Sequence, residues 1–207
     1  MMAPRPSSMP LAIVSGSLLC LQLCAEDVAG RERERKQVIR EEISTELRIA
    51  VSRGFRWLVS QQNRRGDFDS RFPVAINGLV GLAFLAGGHS ERAGGEYTAA
   101  LRAGTTALLA RQNTQGYFDD GESAMYGHGF ATLYLAELYG TSDHRHAEIR
   151  TALEKAIHVI EGSQASTGGW DYSPAEGMSA ELRHSGASDT SITVCQTLAL
   201  RAAGNQG

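Results

Sequence analysis

Apolar residues recur at helical spacing along most of the chain, and the stripes alternate between narrow and wide. From Val38 and Ile39 the positions Ile43, Leu47, Val51, Phe55 and Leu58 form one apolar face, closed by Gln61-Gln62-Asn63 and Gly66. Pro73 opens a second helix at its first position, where a missing N–H costs nothing, and Val74 to Leu85 is apolar nearly all round. A third helix, about Tyr97 to Gln112, returns to a stripe of Tyr97, Leu101, Gly104 and Leu108. The fourth, about Ser123 to Tyr139, is again apolar on most sides, with Met125, Tyr126, Phe130, Leu133 and Leu138. The fifth, about Asp143 to Gln164, carries the stripe Ile149, Leu153, Ile157 and Ile160. The sixth begins at Ser188-Asp189, a good N-cap, and runs through Ile192, Val194, Cys195 and Leu198 to Gly204. One-sided helices face water, and helices that are apolar all round must be enclosed. Two concentric layers satisfy both demands, with odd helices outside and even helices inside. The pattern therefore predicts an all-α fold, an α/α toroid built of helical hairpins. An unclosed solenoid of hairpins is the alternative.

The ends of the odd helices repeat. Gln62, Gln112 and Gln164 stand 50 and 52 residues apart, and Gly66, Gly116 and Gly168 take the same steps, as do Phe68, Phe118 and Trp170. A fixed period of this length marks a repeat architecture. In the first copy, Trp57-Leu58 is followed by Gln62 and then Gly66-Asp67-Phe68. The second copy has Leu108-Leu109 before Gln112, Gly116 and Phe118; the third has Val159-Ile160 before Gln164, Gly168 and Trp170. This resembles the QW repeat of squalene and terpenoid cyclases and their protein-prenyltransferase relatives, over about Thr45 to the C-terminus. The resemblance implies an α/α toroid in which these residues are structural, the Gln tying one helix end to the start of a neighbour. It also implies a central cavity suited to an isoprenoid or another apolar ligand. A closed toroid of that family has about six hairpins, and three are countable here. The expectation is an incomplete, half toroid: an N-terminal portion of a longer protein, or a chain that associates with itself into a ring.

The resemblance does not bring a catalytic motif with it. Class II cyclases use Asp-x-Asp-Asp to protonate an alkene, and a carboxyl in that role must stay protonated through burial beside a like charge. Here Asp67-Phe68-Asp69 is followed by Ser70, and Asp119-Asp120 has Tyr117 where the first Asp belongs. Asp189 and Cys195 do not reproduce the Asp, Cys and His zinc ligands of the prenyltransferases, and the Cys-Gly-Glu-Gln motif of thioester toroids is missing. An Asp follows each turn aromatic (Asp69, Asp119, Asp171) and reads as a helix cap. Asp119 and Asp171 are also testable as the facing carboxylates of a glycan-active barrel. The candidates for chemistry are His128, Asp119 and Asp189. His128 lies between Gly127 and Gly129 near the start of an inner helix, which puts it at a cavity mouth, or else in the core as a hydrogen-bonded histidine. The long loop from Asp171 to Ser188 holds Tyr172, Glu176, Glu181 and His184, and such loops often carry function.

Composition narrows the setting. The net charge of −3 over 207 residues gives no reason to expect a nucleic-acid partner. Leu11 to Leu23 is a mostly apolar run of 13 residues, too short for a membrane span and right for a signal peptide covering residues 1–25. Residues 26–44 then read as a charged linker or helix extension, and 45–207 as the repeat domain. Cleavage after Ala25 removes Cys20 and Cys24 and leaves Cys195 alone, so no internal disulfide forms in the mature chain. Cys195, in an apolar run, reads as a buried inert thiol. Each of Cys20 and Cys24 follows a Leu where a lipoprotein signal has a small residue, so the chain is expected to be exported, periplasmic or secreted, without a lipid anchor. No cofactor, metal or mature transmembrane span is expected. The reading is an exported prenyltransferase- or squalene-cyclase-like repeat protein without a recognisable catalytic motif, binding an apolar small molecule or a protein partner. The alternative is a terpenoid cyclase or prenyltransferase-type enzyme whose catalytic residues lie in a further C-terminal part.

Overall fold

The computed structural model describes residues 44–92, 94–141, 145–174 and 188–206. The expected signal peptide, the charged linker up to residue 43, the start of the first stripe and the loop residues Glu176, Glu181 and His184 lie outside them. The described residues form six helices: α1 (Thr45–Gln61), α2 (Pro73–Ala86), α3 (Thr98–Leu109), α4 (Ala124–Tyr139), α5 (His146–Gly162) and α6 (Thr190–Gly204). The fold is all-helical. None of the described helices is long and apolar enough to cross a membrane.

The chain divides into two compact units, Met1–Ser52 and Arg53–Gly207. In the first, the described residues are the opening turns of α1, where Ser44 Oγ accepts the Leu47 N–H. The second unit holds everything else. In it α2, α4 and α6 pack side by side in that order, α3 packs on α2, and α5 packs on α4 and α6. The expected start signals act as expected. Pro73 is the first residue of α2, and the Asp189 carboxylate caps α6 by accepting from the Ser191 and Ile192 N–H groups.

The stripe widths explain the packing. α3 buries Leu101, Gly104, Thr105 and Leu108, and α5 buries Ile149, Leu153, Ala156 and Ile160, one face each. α2 buries eight of its 14 residues and α4 ten of 16, so both are covered on most sides. α6 departs from the even-helix pattern. It buries five of its 15 residues, because α4 and α5 cover one side of it and leave Val194 and Leu198 about half exposed. Trp57 also departs from its expected structural place. It is 61% exposed: the step from Gln62 to Gln112 carries it onto Ala107, which the Gly66 turn covers, and none of the described turns covers the matching face of α1. The core proper runs from Phe68, Phe84 and Tyr97 through Phe118 and Tyr134 to Leu138 and Ile149, with Phe55, Leu58 and Val59 of α1 packed against it. A second cluster gathers Met125, Ile160, Trp170, Ile192 and Ala199.

Candidate functional site

The three repeated turns have one backbone geometry. The Gly66, Gly116 and Gly168 N–H groups donate to the carbonyls of Asn63, Asn113 and Ala165 at 3.0, 3.1 and 2.8 Å. All three glycines sit at positive φ, +92°, +100° and +90°. In the first two turns an Asn side chain reinforces the loop. Asn63 Oδ1 accepts from Arg65 and Asp67, and Asn113 Oδ1 accepts from Gln115 and Tyr117.

Each Gln closes its own turn, and two of them also join neighbouring helices. Gln62 Nε2 donates to the Gly66 carbonyl at 3.0 Å and to the Ala100 carbonyl of α3 at 2.8 Å. Gln112 Nε2 donates to Gly116 at 3.0 Å and to Ala152 of α5 at 2.7 Å. Gln164 Nε2 donates to Gly168 at 2.8 Å and, among the described residues, to no further carbonyl. The glycines follow the same division. A Cβ on Gly66 would stand 2.4 Å from the Ala103 carbonyl oxygen, and one on Gly116 2.6 Å from that of Lys155. At Gly168 it would meet none of the described residues within 4 Å. The first two turns are pressed against the next odd helix, and glycine is required there by contact as well as by conformation.

His128 belongs to this joint and not to a cavity mouth. The backbone N–H of each turn aromatic is held by a polar side chain from the following even helix. Phe68 donates to Asn77 Oδ1 at 3.0 Å, Phe118 to His128 Nδ1 at 3.1 Å and Trp170 to Thr193 Oγ1 at 3.0 Å. Asn77 Nδ2 then reaches the Gly104 carbonyl at 3.3 Å, and His128 Nε2 the Ala156 carbonyl at 3.1 Å. With Nδ1 accepting, Nε2 carries the hydrogen and donates. Each odd helix so joined receives two side-chain donors one turn apart, at Ala100 and Gly104 or at Ala152 and Ala156. His128 is fully buried, and burial pushes its pKa down to about 4. A neutral imidazole with both nitrogens engaged has no proton to exchange with a ligand.

Of the aspartates only Asp189 caps a helix; the others hold loop backbone. Asp69 Oδ1 accepts from the Arg71 and Phe72 N–H groups just before α2. In the second repeat this work falls to Asp120 rather than Asp119. Asp120 Oδ1 accepts from the N–H groups of Glu122 and Ser123, and Oδ2 accepts from Val74 of α2 at 2.9 Å. Burial alone would raise its carboxyl, but these hydrogen bonds outweigh it and hold the carboxyl below its usual range. Asp119 Oδ1 accepts from Gly121, and Asp171 Oδ1 from Tyr172, so each faces its own loop. Asp189 caps α6 in the third repeat, and its bonds from Ser191 lower its carboxyl.

Two features had no repeat signal to reveal them. Asp67, nearly buried, forms a two-pronged ion pair with Arg111, Oδ1 to Nη1 at 2.8 Å and Oδ2 to Nη2 at 3.0 Å. Its neighbour is a guanidinium, where a carboxyl that protonates an alkene needs a like-charged neighbour. Glu91 is fully buried, with Arg145 Nε 3.9 Å from its Oε2. Both pairs join residues far apart in sequence and occur once, so periodicity does not point to them. Cys195 is buried, and burial raises its thiol pKa. Among the described residues no group of three or more His, Cys, Asp or Glu is placed to hold a metal ion.

What remains is a cleft. It lies at the C-terminal ends of α2 and α4, away from the capped ends, and has a volume of about 520 Å³. Leu82, Leu85 and Leu133 form its apolar wall, and His89 and Glu137 supply polar groups at its border. The size and chemistry suit a small, mainly apolar molecule. No protein-family model matches this chain, and neither a curated protein nor a solved structure does.

Proposed function

We propose that this chain is an exported helical repeat protein of the terpenoid-cyclase and protein-prenyltransferase toroid type, and that its described part binds rather than catalyses. The leucine-walled cleft between the ends of α2 and α4 carries this reading, with an apolar small molecule as its ligand. The toroid assignment rests on the Gln, Gly and aromatic residues of the three turns and on the division into one-sided and enclosed helices. Export rests on the apolar run at residues 11–23. Binding is favoured over catalysis because His128, Asp119 and Asp189 each hold backbone groups in place.

Titration with an isoprenoid alcohol such as farnesol, followed calorimetrically, tests the reading. The wild-type chain should bind saturably, and Leu133→Arg, which puts a charge on the cleft wall, should weaken binding about tenfold or more. Absence of saturable binding, or equal binding by the variant, would overturn the assignment.

A further inference from the structure

We infer that two copies of this chain associate head to tail, α1 of one copy seating on the third turn of the other. The joint made by a Gln, a left-handed Gly and an odd helix occurs twice, and the two halves of a third are each uncovered by the described residues. The receiving half is the turn at Gln164 and Gly168, both exposed, with none of the described residues within 4 Å of a Cβ on Gly168. The inserting half is α1. Counting back from each repeat Gln, Ala50 and Gly54 fall where Ala100 and Gly104 stand in α3 and where Ala152 and Ala156 stand in α5. Those are the carbonyls that accept the two side-chain donors. In α1 both residues are exposed, and none of the described residues comes within 4 Å of a Cβ on Gly54. The third turn offers one of the two donors, Gln164 Nε2, to the Ala50 carbonyl, while the Thr193 hydroxyl, at the place of Asn77 and His128, already donates to the Asp189 carbonyl.

The exposed apolar residues are distributed accordingly. Among the described residues, every large apolar side chain that is exposed lies on α1 or α2, or after Trp170. Trp57 lies on the open face of α1, in the register of Ala107, which lies against Gly66. The even helices give a second match. Gly78 of α2 lies against Phe130 of α4, and Gly129 of α4 lies against Cys195 of α6. One step further the series would set Val194 of α6 against Leu79 of a second copy's α2. These two are 51% and 40% exposed, and Leu198 follows one turn after Val194 at 49%. Val194 replaces the glycine of the internal contacts, so the helices of two copies would approach less closely than α2 and α4 do. The contact is heterologous: different surfaces meet, and each copy offers one of each.

Sedimentation velocity of the full chain, of Trp57→Glu and of Leu198→Glu tests this. Both substituted side chains are exposed, so neither change disturbs the core. The wild type should associate with rising concentration, and each variant alone should stay monomeric, because every contact would then contain a damaged surface. Mixing the two variants should restore a heterodimer, because one contact then joins an intact α1 to an intact third turn. This restoration separates lost association from lost folding. A wild type that stays monomeric, association that survives either variant, or a mixture that fails to pair would each overturn the inference.

Discussion

The second and third turns share a backbone but not a setting. Gln112 and Gln164 both close their loops on a glycine carbonyl, and Gly116 and Gly168 both stand at positive φ. Only the second turn has an odd helix against it, and there the same Gln gains the Ala152 carbonyl, while Gly116 lies beneath Lys155. The comparison separates two duties that the motif otherwise hides. The loop is shaped by local bonds and forms in either setting. The joining of repeats is a further function of the same atoms, realised only where a neighbour is present.

Alanine at the two glycines should divide these duties most sharply. In a Leu198→Glu background that keeps the chain monomeric, Gly168→Ala meets none of the described residues and bears only the left-handed backbone, a cost of about 1–2 kcal/mol. Gly116→Ala bears that cost and must also displace the backbone of α5, where its Cβ would stand 2.6 Å from a carbonyl oxygen. Overpacking of this kind adds about 1–3 kcal/mol. Urea unfolding should therefore rank Gly116→Ala well below Gly168→Ala, and equal losses would show that α5 is not seated on the turn.

The first and second joints differ in the side chain that holds the turn aromatic, and pH should distinguish them. Asn77 does not titrate, whereas His128 at the matching place has its pKa pushed from 6.5 to about 4 by burial. Above pH 6.5 the imidazole is neutral in both folded and unfolded chains and contributes no pH dependence. Between pH 6.5 and 4 the unfolded chain takes up the proton first, so stability falls as pH falls, by about 3 kcal/mol in all. Below about 4 the folded form is protonated too, and this contribution levels off. Asp120 and Asp189 act lower, from 3.8 downward, because both carboxyls are held below that value. His128→Asn should flatten the loss between pH 6.5 and 4, measured as the shift in urea midpoint. An unchanged slope would contradict the buried, neutral assignment.

Much of the helical pattern was legible because it rests on spacing. The stripe of α3, Pro73 at the start of α2 and Asp189 before α6 act locally, and local signals survive in sequence. The repeated Gln and Gly were legible as structural for the same reason: what recurs in every repeat serves the scaffold. The site was less legible. His128 drew attention as an unusual residue between glycines, but its partners are the backbones of Phe118 and Ala156, and burial is not visible in composition. Asp119 sat in the repeat register, yet one extra residue between Phe118 and α4 left the bonds to the backbone before the helix to Asp120. Trp57 matched the motif aromatic by type while its register placed it on an open face. Arg111 and Glu91 depend on contacts over long separations that no period marks.

The smallest effect is also the most direct test of the claim that the motif joins repeats as well as shaping its loop. Gln112→Ala and Gln164→Ala delete the same amide, and both should be compared by urea unfolding in a Leu198→Glu background that keeps the chain monomeric. Gln112→Ala loses a loop bond and a partly buried bond to α5, and should lower stability by about 1–2 kcal/mol. Gln164→Ala loses one exposed bond, and should cost about 0.5 kcal/mol. A loss at Gln112 that clearly exceeds the loss at Gln164 is the result the account predicts. Equal losses at the two positions would contradict it, leaving the repeated glutamine as a loop residue and nothing more.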